Sequence, residues 1–417
     1  MISTTPLPSE TDVVIVGAGL AGLTAARVLE QNNISAVVVE ASDGVGGRVR
    51  SDVVDGFILD RGFQVLLTAY PEIHRHLDIP KLDLKAFEPG AIVWREGRGS
   101  IVGDPIRRPK TLLSTSLAPI GTVADKARIA AMRVRLKSAD PKSLLRGADM
   151  PTSDALREMG FSPQIIDRFF KPLVGGIQLD PTLSTSRRMF DVIFRTLATG
   201  DSAVPALGMG EITRQLEASL RTTPVFLNSP VSSVRSGQVT FANGHVMKAR
   251  NVVVATEGPS ASTLLGLPEV PSRSAGCVYF AAPVSPIDGA YIVLDGQGHG
   301  PVYNVAVMSN VSTHYAPSGQ HLIAAALPGL ADGDIEAAAR RQLRSWWGVQ
   351  VDSWRHLRTY RIAHGQPGQN TPFHPKKKVS LGDGLFVCGD HRDTGSIQGA
   401  MYSGRRCAEQ VISERNK

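Results

Sequence analysis

Residues 12–40, DVVIVGAGLAGLTAARVLEQNNISAVVVE, decide how the rest of the chain is read. Asp12 to Val16 is a short, almost wholly apolar run, as a strand buried on both faces requires. It passes straight into Gly17-Ala18-Gly19-Leu20-Ala21-Gly22, a G-x-G-x-x-G. An alanine-rich segment of helical period follows to about Leu29, then the β-branched run Ala36–Val39, which closes on Glu40. Gly17 permits a tight turn, Gly19 lets the backbone approach a pyrophosphate, and Gly22 lets helix and strand pack closely. The N–H groups of the helix start, at Leu20 and Ala21, face the phosphates. Glu40 is placed to accept hydrogen bonds from a ribose 2′-OH, and its charge disfavours a 2′-phosphate. A glycine motif alone is weak, but strand, turn, helix, second strand and terminal carboxylate stand here in register. The segment predicts a Rossmann-type unit for a dinucleotide other than NADP.

With 417 residues the chain is too long for one ordinary core, and two or three domains are expected. Hydrophobic content of 42% beside 20% charged residues suits a globular protein in water. No apolar run reaches the roughly eighteen residues of a spanning helix. The opening MISTTPLPSETD has neither a basic region nor an apolar core, so no secretory signal is read. Cys277, Cys388 and Cys407 are scattered without metal or disulfide spacing, so no metal and a reducing cytoplasm are expected. The formal charge of +7 is unevenly placed: residues 107–146 hold ten Lys/Arg against two Asp, a net of +8. The remainder is close to neutral, which argues against nucleic acid as a partner.

Behind Glu40 comes Ala41-Ser42-Asp43-Gly44-Val45-Gly46-Gly47-Arg48. Gly46 and Gly47 let the backbone come close to a ligand, and Arg48 offers a guanidinium to phosphate. The plain alternative is a solvated loop; its place behind a dinucleotide turn favours phosphate. Further on, residues 224–256 alternate short strands with turn signals at Ser236-Gly237 and Asn243-Gly244, ending in the buried run Val252–Ala255. Leu385–Cys388 reads as another strand, ended by Gly389-Asp390, and Ser396-Ile397-Gln398-Gly399-Ala400-Met401 opens a last helix toward Ile412.

GAGLAGLTAA and VVVEASDGVGGRVRS together resemble the flavoprotein group that contains amine oxidases, protoporphyrinogen oxidases and phytoene-type desaturases. The resemblance continues through GFILDRGFQVLLTAYP (56–71), through residues 169–209 in the manner of the protoporphyrinogen-oxidase and desaturase branch, and through GDHRDTGSIQGAM (389–401). It implies FAD, with Gly62, Phe63 and Gln64 passing close to the flavin and an adenine contact through the backbone at Val231. On that reading Asp390 bonds ribitol or ribose hydroxyls. The helix start at Ser396, Ile397, Gln398 and Ala400 offers free N–H groups that stabilise the negative charge of reduced flavin. Many amine oxidases carry a lysine on the strand matching Ser274–Phe280; here Gly276-Cys277 stand there, and the aromatic pair of an amine cage is not evident in residues 389–401.

The fold class expected is α/β: a discontinuous Rossmann-type FAD-binding domain (1–79, 211–264, 371–417) and a second α+β substrate domain. The second domain comprises a helical, basic part (80–210) and a mixed sheet (265–370). Ser274–Pro283, Asn304–Met308 and Leu322–Leu327 read as its strands. Tyr279, Phe280, Tyr303, Trp354 and Tyr360 are candidates to wall an apolar cavity, although strand aromatics also form ordinary core. Catalytic residues beyond the flavin stay unassigned; His364 is a candidate acid or base, with a structural role as the alternative. In the basic segment Thr122 and Asp125 form a capping box before a helix to about Lys137. Val123, Ala127, Ala130 and Val134 fall on one face and Ile129, Met132 and Leu136 on nearly the opposite one. Residues 107–146 are read either as a peripheral membrane contact of a cytoplasmic protein or as a solvated basic helix. The expected activity is dehydrogenation of a largely apolar small molecule by hydride transfer to flavin N5, with O2 or a quinone as acceptor. The alternatives are oxidation of a primary amine or polyamine, and an FAD-containing isomerase or non-turnover flavin-binding protein.

Overall fold

The computed structural model describes residues 2–330 and 333–415. Its first layer is a sheet of eight strands. Glu10–Val16 lies between Ala36–Val39 and Val246–Val254, all parallel, and Val225–Phe226 extends the parallel set beyond Ala36–Val39. Val13 and Ile15 face helices Leu20–Gln31 and Ile397–Arg415; Val14 and Val16 face the other core, built with Val239, Phe241 and Ala261. Cover on both faces is why the run shows no alternation in sequence. Val246–Val254 has two partners on its far side: its first half pairs antiparallel with Gln238–Phe241, and Val252–Val254 pair parallel with Leu385–Val387. Stretches from the start, middle and end of the chain thus close one sheet. The turns between Val231–Arg235, Gln238–Phe241 and Val246–Val254 contain Gly237 and Gly244, both at positive φ.

The second layer is a mixed sheet of seven strands in the order Arg355–Pro367, Ser272–Ala282, His321–Pro328, Asn304–Val307, Ile292–Asp295, Gly90–Arg95, Arg98–Gly103. Every neighbouring pair is antiparallel except Ile292–Asp295 with Gly90–Arg95. Ser272–Ala282 shows the period of two: Cys277, Tyr279 and Ala281 enter the core shared with the first layer, while Val278, Phe280 and Ala282 pack with helix Ile335–Trp347. Against Ala91, Val93, Val102 and Leu294 of this second sheet, helices Val123–Ser138 and Arg187–Thr199 enclose a cluster of Phe161, Phe169, Phe170 and Phe190 with the π-helical segment Ile166–Gly175. All three cysteines are free and buried.

Four expectations need correction. Gly90–Arg95 and Arg98–Gly103 are strands within the stretch read as helical and basic; the exposed Arg98 and Gly99 of the edge strand hid its pattern. The strand expected at Asn304–Met308 stops at Val307 because Met308 opens a short helix, and the one expected to reach Cys388 stops at Val387. The aromatic wall does not form. Phe280 lies 6.1 Å from Trp354, and Trp354 lies 5.7 Å from Trp347, on the face of the sheet away from Tyr279 and Tyr360. On Val123–Ser138 one apolar face packs inward through Met132 and Leu136, and the other, Val123, Ala127, Ala130 and Val134, is exposed. The capping box forms as read: Thr122 Oγ1 accepts from the Asp125 N–H, and Asp125 accepts from the Thr122 N–H.

Candidate functional site

The carboxyl ends of four parallel strands bring the predicted residues to one edge. Gly17 follows Glu10–Val16, Glu40 follows Ala36–Val39, Ala255 follows Val246–Val254, and Gly389-Asp390 follows Leu385–Val387. That edge is where open α/β sheets take their ligands, because loops and helix starts meet there. Gly17 sits at φ +109° and donates its N–H to the Val39 carbonyl at 2.8 Å, which seats the turn against the neighbouring strand. The first bond of helix Leu20–Gln31 runs from the Leu23 N–H to the Gly19 carbonyl, so the amides of Leu20, Ala21 and Gly22 lie outside the ladder. Gly19, the N-cap, offers no side chain to cover them.

Glu40 is fixed by three donors. Its Oε2 accepts from the Ala18 N–H at 2.8 Å, and its Oε1 from the Ser42 N–H at 2.9 Å and the Ser42 hydroxyl at 2.8 Å. Oε2 keeps acceptor capacity for a further hydroxyl. The Ser229 N–H donates to the Glu40 carbonyl and the Asn228 N–H to the Ser42 carbonyl, which brings the stretch leading into Val231 alongside Glu40–Ser42. Ala41 lies between these anchors.

The second glycine loop docks on the first. The Gly46 N–H donates to the Ala18 carbonyl at 2.8 Å, and Gly46 and Gly47 both take positive φ, turning the chain so that Arg48 points across the edge. Arg48 pairs with Asp390 at 2.8 Å and donates to the Gly365 carbonyl at 2.9 Å. Gln64 donates to the Arg48 and Arg61 carbonyls, and so belongs to the same assembly; Phe63 instead turns edge-on to Phe87. Gly62 lies against Ile362 of strand Arg355–Pro367, whose His364 lines a small cavity with Arg48, Gln366 and Asp390.

The C-terminal helix contributes its start. Ser396 Oγ accepts from the Gly399 N–H at 3.0 Å, the Ser396 N–H donates to the Thr394 carbonyl and the Ala400 N–H to the Ser396 carbonyl, so of this first turn the amides of Ile397 and Gln398 lie outside the ladder. Gln398 turns its side chain away: its Oε1 accepts from the Glu72 N–H. Glu72 in turn takes both arms of Arg405 at 2.8 Å, which clamps helix Pro71–His76 to Ile397–Arg415.

Sequence reasoning missed His391 and Asp60. His391 is 4% exposed and neither ring nitrogen has a hydrogen-bond partner; burial pushes it down to about 4, against the pull of Asp390, so it is neutral at pH 7. Its place directly behind Gly389-Asp390 was the available signal. Asp60, 1% exposed, accepts from Ser51, the Met209 N–H and Tyr315, and its carbonyl accepts from Tyr279. It ends the strand that leads into Gly62–Gln64.

This donor set suits a dinucleotide: two helix starts, a carboxylate with acceptor capacity, an arginine between them, and an imidazole with unsatisfied nitrogens at the far end. Among the described residues no cluster of His, Cys, Asp or Glu could hold a metal ion.

Comparison with known proteins agrees. The family model for flavin containing amine oxidoreductase matches residues 20–412. Protoporphyrinogen oxidase 2, chloroplastic/mitochondrial, of Arabidopsis thaliana is 28% identical over 181 residues, which is 43% of this chain and 35% of that protein. The match thus spans about a third of that relative's length. Coproporphyrinogen III oxidase of Propionibacterium freudenreichii subsp. freudenreichii is 25% identical over 499 aligned positions, 98% of this chain and 92% of that protein. The crystal structure of an oxidoreductase from Methanosarcina mazei superposes with a TM-score of 0.72 at 15% identity, covering 98% of this chain and 100% of that one, a likeness of fold.

Proposed function

Because this chain belongs to the flavin containing amine oxidoreductase family, we propose that it is an FAD-dependent oxidoreductase that dehydrogenates a largely apolar small molecule, with O2 or a quinone as electron acceptor. The observation that carries this reading is the single row Glu40, Gly17–Gly22, Gly46–Arg48, Asp390 along one sheet edge. On this reading Glu40 and Ala41 would hold the adenosine ribose, Val231 would lie by the adenine, and Gly17, Gly19, Leu20, Ala21 and Gly22 would receive the pyrophosphate. Gly46, Gly47 and Arg48 span the middle. Gly62, Phe63 and Gln398 (the latter two through their backbones), Gln64, Gly389, Asp390, Ser396, Ile397 and Ala400 would surround the ribityl and ring.

Bound FAD supplies the hydride acceptor; the protein's share is orientation, exclusion of water and charge. The helix start at Ile397 presents partial positive charge, which favours an electron-rich ring, while the Arg48 guanidinium is largely offset by its ion pair with Asp390. Strand Ser272–Ala282 presents Cys277 and Tyr279 to the shared core and carries no lysine. Burial pushes the Cys277 thiol up to about 12, so it serves as packing and neither as nucleophile nor as base. Absence of a lysine from this strand, whose one basic residue, Arg273, is tied to Ser184 and Asn370, favours a neutral donor over an amine, and two relatives named for porphyrinogen oxidation support a large macrocyclic one. An apolar substrate concentrates in lipid, and peripheral membrane contact through residues 107–146 belongs to the same reading.

Purified protein reconstituted with FAD is expected to show a flavin spectrum that bleaches anaerobically with a porphyrinogen but not with putrescine or benzylamine. Bleaching by the simple amines alone would overturn the substrate class, and failure to retain FAD would overturn the whole reading. Glu40→Ala is expected to weaken FAD binding by roughly 1–3 kcal/mol, since it removes a charged acceptor and orphans the Ala18 and Ser42 N–H groups. Fluorescence titration of FAD into apoprotein measures this, and an unchanged Kd removes Glu40 from the ribose role.

A further inference from the structure

Two buried amides lack the partners that burial demands. Gln178 is 2% exposed, and neither its Oε1 nor its Nε2 has a hydrogen-bond partner. Asn304 is 6% exposed, and its Oδ1 has none. Native interiors leave few such atoms, because each has given up its bonds to water for nothing. The chain brings these two together, 126 positions apart in sequence, over one face of the second sheet.

Cys277 pairs with Ala326 and Ala326 with Asn304, so these three side chains form a row on the face turned to the first layer. At one end the Cys277 thiol lies against the Phe63 backbone, in the stretch set beside the flavin. Asn304 stands two strands away, about 10 Å along the sheet. Between them Ala326 is only half-buried although its strand lies inside the sheet, and Ala275 and Pro328, the next pair on this face, are half-buried too. The floor is thus small, apolar and open. Residues 176–179 cross above it. A Cβ on Gly176 would lie 2.2 Å from Asn304 Nδ2, the Ile177 carbonyl accepts from Gln366 at 2.7 Å, and Leu179 meets Gly365. Since Gly365 and Gln366 belong to the edge strand Arg355–Pro367, the crossing carries Gln178 over the cleft. The charges nearby are matched among themselves: Asp180 accepts from Thr182, Ser184 and Thr185 and lies 3.6 Å from Arg273, which donates to Ser184 and Asn370.

We infer that Asn304 and Gln178 determine substrate specificity: their amide oxygens accept hydrogen bonds from uncharged N–H groups on the side of the substrate away from the flavin. On the macrocyclic reading above, on which this inference rests, those are pyrrole N–H groups. Neutral oxygens with no free cation beside them suit such a donor and give a carboxylate nothing to pair with. A site built to bond an N–H also rejects an apolar analogue without one, since its own buried amides then stay unpaired. The contact is remote from the carbon that gives up the hydride, so it is as strong in the bound substrate as in the transition state. It therefore acts on KM and leaves kcat in place.

Gln178→Met and Asn304→Leu keep the size of each side chain and remove its amide. Anaerobic flavin bleaching by coproporphyrinogen III, followed in the FAD-loaded protein, tests them. Each variant is expected to raise the half-saturating porphyrinogen concentration about tenfold or more and to keep the limiting rate within about threefold. The flavin spectrum should stay that of the wild type, and Tm should hold or rise, because an apolar side chain ends an unpaired burial. Unchanged half-saturation in either variant would overturn the inference and leave the flavin and macrocycle readings standing. A lowered Tm in Gln178→Met would also overturn it, marking that amide as part of the fold. Should Asn304→Leu not fold, Gln178→Met decides alone. Wild-type holoprotein that coproporphyrinogen III does not bleach would refute the macrocyclic substrate and this contact with it, and protein that takes up no FAD would refute the flavin reading itself.

Discussion

Gly22→Ala is expected to give a protein at least about 3 kcal/mol less stable than the wild type, unable to retain flavin. Helix propensity points the other way, since alanine in place of a helical glycine gains about 1 kcal/mol. Packing decides the sign. A Cβ on Gly22 would lie 2.0 Å from the Gly17 carbonyl oxygen and 3.2 Å from Ala255 Cβ. The first of these is backbone, held at φ +109° by the Gly17 N–H bond to Val39, so it cannot swing aside as a side-chain tip would. The helix must then move off the strand, taking with it the amides of Leu20 and Ala21. Gly19→Ala is the informative partner, because a Cβ there meets nothing within 4 Å and the residue has an ordinary φ of −78°. That variant should unfold at the wild-type urea concentration yet bind FAD about tenfold or more weakly, the methyl standing where a pyrophosphate must approach. Flavin absorbance per chain and urea midpoints measure both. Equal flavin content and midpoint in Gly22→Ala would show that the turn relaxes, and a destabilised Gly19→Ala would show that the two glycines do not divide their tasks.

The same local logic explains what was legible in the sequence. The turn, the strand before it and the carboxylate after it act on one another over a short span, so their spacing carries the meaning. The strands around Gly237 and Gly244 were readable for the same reason. What depends on distant partners was not. The donors to the Asp60 side chain come from Ser51, Met209 and Tyr315, separated from it by 9, 149 and 255 positions, and no periodicity reports such a meeting. Gly90–Arg95 pairs on one side with Arg98–Gly103, its neighbour in the chain, but on the other with Ile292–Asp295, about two hundred residues away, and that second partner left no trace in the local pattern. Helix Val123–Ser138 offered two apolar faces, and only tertiary ties such as Arg133 to Asp104 decide which one faces water. His391 has no pattern of its own; its orphaned nitrogens are visible only once the chain is folded.

Asp60 supports the other large effect: between about pH 4 and pH 6 it is expected to make the protein less stable as pH rises, opposite to a salt-bridged carboxylate. Burial pushes its carboxyl up from 3.8 to about 6, against hydrogen bonds from Ser51, the Met209 N–H and Tyr315, none of them a cation. The folded value thus lies above the unfolded one. Below pH 3.8 both states hold the proton and the contribution is fully present; as pH rises through about 6 the native state must ionise in place, and the contribution is lost. The rise from 3.8 to about 6 makes the loss of the order of 3 kcal/mol. Asp60→Asn keeps the shape, accepts from Ser51 and Met209, and can donate to the Tyr315 oxygen without ever ionising. Asp393 is also raised to about 6, so the pH profile of the wild type alone is not diagnostic. The difference between wild type and Asp60→Asn isolates the group. Urea midpoints at about pH 4.5 and pH 8 should show the variant gaining on the wild type by most of that amount at the higher pH. A difference independent of pH would mean that the hydroxyls of Ser51 and Tyr315 stabilise the ionised carboxylate as well as water does, and that burial alone does not govern Asp60.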